Sequence, residues 1–312
     1  MVPGVSSVGA NVPDDLVQPF QVEPHRLRGR LVRMGPALDA ILTRHAYPEP
    51  VAMRLGELVL LAATVATMLK FDGILTLQTR TDGPIRLLVA DYDTNGRAVR
   101  GYAQYDADGV AALEASGASA HRFLGTGHLA FTIDQGPETE RYQGIVELVG
   151  TTLVDAAHHY FRQSEQIETG IRLAVGRVRP GAPWRGGALM VQRLPEAARG
   201  EGGEERDDQF RHVMTLIGTT RTDELLSPAL APKGLLFRLF HEEGVRVFPP
   251  HPVADACRCS EERVLSILRA LPAADRADLA VDGRIEVRCE FCARLYRIDP
   301  EAIAAGDAPP AF

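Results

Sequence analysis

Four cysteines are the residues of this chain whose type and spacing could do chemistry. Cys257 and Cys259 form a C-x-C motif, and Cys289 and Cys292 form a C-x-x-C motif after residues 260–288. Two close pairs that lie far apart in sequence are typical of a tetrahedral Zn²⁺ site with four thiolate ligands at about 2.3 Å. Because four protein thiolates leave no open coordination position, we predict a structural Zn²⁺ rather than a catalytic one.

Other interpretations of the four cysteines fit less well. Random placement would rarely gather every cysteine into two pairs near one end of the chain. A thioredoxin-like site needs only the C-x-x-C motif, and it needs a βαβ setting that the sequence lacks. His251 could compete as a ligand, but four cysteines already complete the coordination shell. A zinc ribbon that binds nucleic acid or a protein partner is the alternative, although residues 246–312 carry nine arginines against eleven acids instead of a basic stripe.

The predicted zinc segment also has a redox liability. A segment of about 65 residues buries too little apolar surface to be firmly stable alone. Structural Zn²⁺ contributes on the order of 10–16 kcal/mol of apparent folding free energy in small peptides. Residues i and i+2 of an extended chain lie about 6.6 Å apart, near the upper limit for a disulfide, so joining Cys257 to Cys259 requires local bending. Oxidation is therefore predicted to release Zn²⁺ and unfold this segment together.

Composition and charge bound the class of protein that carries these motifs. The 312 residues are 45% apolar and 24% charged, with a formal net charge of −7. These values exclude a disordered or coiled-coil chain, and the negative charge disfavours nucleic-acid partners. The first twenty residues show no signal peptide, and the longest apolar stretch, residues 58–69, is shorter than the about 20 residues that a membrane span needs. We predict a soluble, cytoplasmic protein with no membrane or nucleic-acid partner.

The elements that must position the cysteines point to an α+β fold. Residues 1–20 are predicted to form a flexible N-terminal arm, and residues 21–195 a core domain with antiparallel sheet. Helices are expected over 36–42, 51–69 and 151–166. Alternating apolar patterns and turn residues predict strands in hairpins, at residues 74–79, 84–92, 98–105, 128–134, 142–149, 171–178 and 188–193.

Residues 196–245 are predicted to form a metastable linker with short helices. The stretch 196–208 is acidic and rich in glycine, and an apolar stretch broken by prolines follows it. Such helices have little core of their own, so they must pack onto a neighbour or remain exposed as an apolar surface. Residues 246–312 then form the small zinc-binding domain, with Ser260 as the N-cap of a helix.

The chain shows no motif that predicts an enzyme. Residues 125–130 match a relaxed G-x-G-x-x-A pattern, but they precede a predicted strand rather than opening a helix. No catalytic serine motif, phosphate-binding lysine motif or kinase signature is present. We therefore assign no catalytic residue.

The chain resembles the redox-regulated heat shock protein 33 chaperones, a family of bacterial holdases, over about residues 22–303. The resemblance is most specific at Cys257-Arg258-Cys259-Ser260 and Cys289-Glu290-Phe291-Cys292. It is supported by LKFDG (69–73), RGY (100–102), TIDQG (132–136), RYQGIVEL (141–148), YFRQSEQ (160–166) and LFHEEGVRVF (239–248).

The resemblance implies a redox switch. Oxidants would form the disulfides Cys257–Cys259 and Cys289–Cys292, expel Zn²⁺ and unfold the linker. The activated protein, a homodimer, would then bind unfolding client proteins without ATP. The candidate client-binding residues are the large apolar side chains of the linker, which we expect to be sheltered while Zn²⁺ is bound and accessible after oxidation: Leu235, Leu236, Phe237, Leu239 and Phe240.

Overall fold

A computed structural model describes residues 14–148, 152–194, 203–281 and 283–304. The chain divides into a large unit, Met1–Asp255, and a small unit, Ala256–Phe312. Helices and predominantly antiparallel sheets confirm the predicted α+β class. Residues 1–13 of the predicted arm, residue 195 of the predicted core domain and residues 196–202 of the predicted linker lie outside the described residues.

The helices of the large unit alternate irregularly with its strands. They are α1 (Pro36–Thr43), α2 (Glu49–Met68), α3 (Ala107–Ala115), α4 (Leu153–Tyr160), α5 (Gly203–Gly218), α6 (Thr222–Leu226) and α7 (Pro232–Phe240). A 3-10 turn, Ala120–Phe123, and a π-helical turn, Phe161–Glu165, complete them. The small unit holds α8 (Glu261–Arg269), α9 (Ala273–Asp278) and α10 (Pro300–Ala304).

The strands of the large unit form two sheets. Its strands are β1 (Leu16–Val22), β2 (Leu27–Met34), β3 (Ile74–Thr81), β4 (Ile85–Asp93), β5 (Ala98–Tyr105), β6 (Gly127–Asp134), β7 (Tyr142–Glu147), β8 (Thr169–Arg177), β9 (Trp184–Arg193), β10 (Val245–Val247), β11 (His251–Pro252) and β12 (Ala254–Asp255). The first sheet has the order β10-β1-β2-β9-β8, with β11 also paired to β1. The second has the order β12-β5-β4-β3-β6-β7 and is antiparallel except at β12. In the small unit, β13 (Ala280–Val281), β14 (Arg284–Arg288) and β15 (Leu295–Ile298) form an antiparallel sheet.

Helix α2 is the centre of the large unit. It contacts strands of both large sheets, and its side chains join one continuous apolar core. It is long and apolar enough to span a membrane, but 83% of its most apolar window is buried within the protein. The helix predicted over residues 51–69 is therefore confirmed, and its apolar surface is covered by sheet on two sides.

One carboxyl group of α2 makes the stability of the large unit depend on pH. Burial raises the pKa of Glu57 from 4.5 to about 7, and Arg54, at 2.8 Å, lowers it only in part. A raised folded-state pKa means that its contribution is complete below the unfolded value of 4.5 and is lost as the pH rises through about 7. We expect Glu57→Gln to remove about 1–2 kcal/mol of the stability difference between about pH 5.5 and about pH 8. Urea unfolding followed by Trp184 fluorescence checks this, and an unchanged pH dependence in the variant would contradict it.

The first sheet has a covered apolar layer on each face. Alternate residues along β1, β2, β8 and β9 join the α2 core on one side and a second apolar cluster on the other. Phe20 lies so close over Gly29 that a Cβ there would fall 2.1 Å from its ring. The predicted arm of residues 1–20 is therefore wrong for residues 16–20, which form most of β1. The sequence of β1 shows no clear alternation of apolar and polar residues, because Gln18, Pro19 and Gln21 interrupt the apolar residues.

The described part of the predicted linker packs onto the outer face of the first sheet. Helices α5, α6 and α7 share the second apolar cluster with β1, β2, β8 and β9. At Gly187 a Cβ would lie 2.7 Å from the Leu225 carbonyl oxygen, so α6 approaches the sheet at a residue without a side chain. The predicted boundary between the linker and the zinc domain lies after residue 245. In the structure, strands within residues 245–255 pair with β1 and β5 of the large unit. The division between compact units falls after Asp255.

Helix α7 separates the five candidate client-binding residues into two groups. Leu235, Leu236, Leu239 and Phe240 face the first sheet and are buried, whereas Phe237 is 65% exposed. The expectation that all five are sheltered is wrong for Phe237, because residue 237 lies on the opposite side of a helix whose contacting face repeats every three to four residues.

This division predicts unequal effects of truncation within α7. We expect Leu236→Ala to lower the free energy of unfolding by about 2–4 kcal/mol through lost burial and a residual cavity. Phe237→Ala is the matched control, with an expected change within about 0.5 kcal/mol. Urea denaturation of both variants measures the difference, and equal losses would contradict the orientation of the helix.

Candidate metal centre

The two cysteine motifs of the small unit lie at the ends of its regular elements. Cys257 and Cys259 directly precede α8, whose N-cap is Ser260, as predicted. The Ser260 hydroxyl accepts a hydrogen bond of 3.3 Å from the Arg263 backbone N–H. Because this cap fixes where α8 begins, it also fixes the backbone that carries the C-x-C motif.

The C-x-x-C motif occupies the turn between β14 and β15. The Cys289 backbone N–H donates to the Arg294 carbonyl oxygen at 2.9 Å, and the Ala293 N–H donates to the Cys289 carbonyl oxygen at 2.8 Å. Ala293 has a φ of 58°, a left-handed conformation that closes the turn. Both cysteines are thereby held on the same side of a short, hydrogen-bonded loop.

The turn and the α8 entry bring the four cysteines together. The four Sγ atoms all lie within 4.8 Å of one another, and each cysteine is half-buried and free of a disulfide. The Sγ atoms of Cys257 and Cys289 are 3.7 Å apart, and those of Cys259 and Cys292 are 3.3 Å apart. Both short contacts join one motif to the other, so the cluster links two distant parts of the small unit.

The donor set and its spacing fit a tetrahedral metal ion. Four thiolates at 2.3 Å from a central Zn²⁺ would have Sγ–Sγ separations of about 3.8 Å, which resembles the measured contacts. Four sulfur ligands favour a soft or borderline cation over Mg²⁺ or Ca²⁺. Among the described residues, the cluster that could hold a metal consists of these four cysteines. The arrangement can therefore hold a metal ion, and its chemistry suits Zn²⁺.

The electrostatics of the cluster show why it needs a cation. Burial raises the pKa of the Cys292 thiol to about 12 and also raises that of Cys289. Burial acts in the same direction on Cys259, but hydrogen bonds from Tyr296 and neighbouring thiols lower the pKa of Cys259 to about 7. The protein groups therefore favour the thiolate of Cys259 and disfavour those of Cys289 and Cys292, and positive charge between the sulfurs would favour ionisation of the latter two.

The small unit has a correspondingly small core. Among the described residues of this unit, six buried side chains form the core, with Cys259 and Cys289 packed against them. They are Val264, Leu268, Ile285, Tyr296, Ile298 and Ile303. A core of this size stabilises a unit of this length only marginally, so a cross-link through the cysteines would contribute a large part of its stability.

The other motifs of the sequence do not join this cluster. His251 lies in β11, where it pairs with Val17 in the large unit, and it is not part of the four-cysteine group. Residues 127–130 of the G-x-G-x-x-A pattern begin β6 rather than a helix. The prediction that this pattern precedes a strand is confirmed.

Arg33 holds the apolar helices on the first sheet, and no local sequence pattern indicates this role. Its side chain is 1% exposed and lies on the outer face of the first sheet. The guanidinium donates to the carbonyl oxygens of Glu224 at 3.1 Å, Ser227 at 2.8 Å and Leu230. Its pKa is lowered by burial. A buried guanidinium thus satisfies one main-chain carbonyl of α6 and two of the segment that connects α6 to α7.

A second arginine reinforces this attachment from the neighbouring strand. Arg185 donates through Nε to the Leu226 carbonyl oxygen at 2.8 Å, and its guanidinium pairs with Asp14 at 2.7 Å. Arg33 and Arg185 together bind carbonyl groups across residues 224–230. No local pattern identifies these arginines, because their partners are about 190 residues away for Arg33 and about 40 for Arg185.

The chain matches known proteins over nearly all of its length. The family model described as Hsp33 protein matches residues 15–299. A protein named 33 kDa chaperonin from Caulobacter vibrioides (strain NA1000 / CB15N) is 45% identical over 293 residues, which cover 92% of this chain and 95% of that protein. A protein of the same name from Pseudomonas fluorescens (strain Pf-5) is 40% identical over 298 residues, which cover 94% of each.

A solved structure shows the same fold. The crystal structure of the 33 kDa chaperonin (heat shock protein 33 homolog) from Thermotoga maritima matches with a TM-score of 0.76 at 23% identity. The match covers 94% of this chain and 97% of that one.

Proposed function

The chain belongs to the Hsp33 family of molecular chaperones, and from this premise we propose that it is a redox-regulated, ATP-independent holdase. In the reduced state, Cys257, Cys259, Cys289 and Cys292 bind one Zn²⁺. Oxidation of these cysteines releases the metal, unfolds the small unit and the linker segment, and exposes apolar surface to unfolding client proteins. The family is a class of chaperones rather than of enzymes.

The four-thiol cluster is the observation that carries this proposal. Its Sγ atoms lie within 4.8 Å of one another in a unit whose described core has six buried side chains. Zn²⁺ bound to the four thiolates would cross-link the α8 entry to the β14–β15 turn. Because the small core cannot replace that cross-link, loss of the thiolates is loss of the fold.

Peroxide supplies the oxidising equivalents. A cysteine thiolate attacks one peroxide oxygen, an S–O bond forms as the O–O bond breaks, and the departing hydroxide takes a proton to become water. The thiolate of a second cysteine then attacks the sulfenic sulfur, an S–S bond forms as the S–O bond breaks, and the departing hydroxide takes a proton to become a second water. We propose the pairs Cys257–Cys259 and Cys289–Cys292. Each disulfide consumes one peroxide and two thiolates, so neither sulfur remains an anionic ligand.

The linker segment supplies the apolar surface. Leu235, Leu236, Leu239 and Phe240 are buried against the first sheet, and β10, β11 and β12 connect α7 to the start of the small unit. We propose that unfolding of residues 256–304 destabilises these short strands, because only seven of residues 245–255 pair with β1 and β5. Release of the linker segment that carries α5, α6 and α7 would then expose both the apolar face of these helices and the sheet face beneath them.

The proposal includes a cytoplasmic location and a change of oligomeric state on activation. Zinc thiolates persist in reducing compartments, which supports a cytoplasmic location. The exposed sheet face would be available to a second copy, and we propose that the activated protein is a homodimer. Light scattering coupled to size exclusion, before and after oxidation, measures that change in mass.

One experiment follows the metal and the chaperone activity together. The zinc-loaded protein is treated with peroxide at raised temperature in the presence of a thermally unfolding client, with zinc release and light scattering recorded on the same sample. We expect about one Zn²⁺ per chain to be released, aggregation to be suppressed only after oxidation, and thiol reductant to reverse the effect. Mass spectrometry of the oxidised protein identifies the disulfide pairs.

Two outcomes would reject the proposal. If Zn²⁺ remains bound after oxidation, or leaves without protecting the client, the metal is only a structural cross-link. Retention of the protein on DNA, with no suppression of aggregation, would instead favour a zinc ribbon that binds nucleic acid.

A further inference from the structure

A tyrosine hydroxyl points at one sulfur of the four-cysteine cluster. The Tyr296 hydroxyl lies 3.1 Å from Cys259 Sγ, within hydrogen-bond distance for sulfur. Tyr296 is the second residue of β15 and pairs with Val287 of β14. Because the C-x-x-C turn joins these two strands, the strand pair that holds that motif also presents this hydroxyl to the C-x-C motif.

The ring of Tyr296 fixes the position of its hydroxyl. Tyr296 is 8% exposed and packs in the small core with Val264, Leu268 and Ile298. A side chain held by packing on both faces has little rotameric freedom. The hydroxyl is therefore aimed at the cluster by the core itself and does not have to be ordered by the sulfur.

The hydrogen bond runs from the tyrosine to the sulfur. The Tyr296 hydroxyl donates to Cys259 Sγ. A thiolate that binds a metal carries no proton, so in that state the hydroxyl is the only possible donor of this pair.

We propose that Tyr296 is a positioning residue that holds Cys259 in its ligand orientation and lowers the reactivity of this sulfur toward oxidants. A hydrogen bond to a thiolate engages one of its lone pairs and stabilises the anion relative to the neutral sulfenic acid, so it lowers the nucleophilicity of the sulfur toward the peroxide oxygen. The hydroxyl acts before the S–O bond forms and takes no part in the transfer of the oxygen. This inference rests on the proposed peroxide chemistry and deepens it, because it identifies a hydrogen bond that slows the oxidation of one particular sulfur.

The test compares Tyr296→Phe with Tyr142→Phe in the full-length, zinc-loaded protein. Tyr296→Phe keeps the ring in the core and removes only the hydroxyl. Tyr142→Phe makes the same chemical change at a 46% exposed site of the large unit. Zinc content and circular dichroism establish that each variant is folded and loaded.

The readout is the relative reactivity of individual cysteines. Each protein is exposed to a small amount of peroxide, sulfenic acids are trapped with dimedone, and tryptic peptides are quantified by mass spectrometry. Trypsin cleaves after Arg258, so Cys257 and Cys259 fall on different peptides. We expect the ratio of Cys259 to Cys257 labelling to rise about three- to tenfold in Tyr296→Phe, the effect of one hydrogen bond of ordinary strength, and to stay unchanged in Tyr142→Phe.

The alternatives to a positioning role for Tyr296 predict different labelling of the cysteines. An unchanged or lowered ratio overturns the inference, and so does an equal rise at all four cysteines with loss of Zn²⁺, which would show a merely structural role. The labelling does not depend on chaperone activity. A selective rise at Cys259 together with no protection of a client would therefore support the role of Tyr296 while rejecting the holdase proposal.

Discussion

Cys289→Ser is expected to lose the bound metal and, with it, the fold of the small unit. Three thiolates and a hydroxyl bind Zn²⁺ far more weakly than four thiolates, because serine is not ionised at neutral pH. The metal contributes on the order of 10–16 kcal/mol of apparent stability in small zinc peptides, which greatly exceeds what a core of six buried side chains supplies. Zinc content should fall from about one per chain to near zero.

Hydrogen exchange measures the structural consequence of this substitution. We expect residues 256–304 to exchange rapidly in Cys289→Ser, while Trp184 fluorescence shows that the large unit remains folded. Ser266→Ala is the control, because Ser266 is an exposed residue of α8 in the same unit. Retention of Zn²⁺ at wild-type stoichiometry, or continued protection of β14 and β15, would contradict the prediction. If the proposed function is correct, the variant also suppresses aggregation without oxidant.

Arg33→Met is expected to release the linker segment from the large unit without any oxidation. The substitution keeps an apolar stem of similar length but removes the guanidinium that binds the carbonyls of Glu224, Ser227 and Leu230. Each buried carbonyl left without a partner costs about 1–3 kcal/mol. When the segment lifts, water can satisfy these carbonyls, so we expect detachment of α6 and α7 rather than unfolding of the sheet.

The release can be measured in the reduced, zinc-loaded protein. Hydrogen exchange of residues 222–240 should accelerate by at least about a hundredfold in Arg33→Met, which corresponds to about 3 kcal/mol. Arg33→Lys should fall between this variant and the wild type, because an ammonium cannot reach three carbonyls with the planar geometry of guanidinium. Arg86→Met, at a largely exposed arginine of the second sheet, is the control. Wild-type exchange in Arg33→Met, with Zn²⁺ retained, would show that Arg33 does not hold the segment.

Part of the fold could be predicted because its signals are local. The apolar run of α2, the Asn95-Gly96 turn and the alternation of β3 to β6 each depend on neighbouring residues, and the predicted elements coincide with the observed ones within a few residues. Strands β1 and β2 escaped prediction. Gln18 and Arg33 are polar residues that are buried in the first sheet, and their burial is explained only by carbonyl partners from distant parts of the chain.

The sequence by itself identified the four cysteines as a candidate metal-binding set, because thiolates in two close pairs have few other uses and their chemistry does not depend on the fold around them. Tertiary structure decided which groups from distant parts of the chain come into contact and which side chains are buried. The hydroxyl of Tyr296 reaches Cys259 across 37 positions of the chain, Arg33 reaches its carbonyls across more than 190, and Phe237 is exposed although its neighbours are buried. Hydrogen bonds and burial depend on positions in space, and distant segments acquire those positions only when the sheets and helices pack.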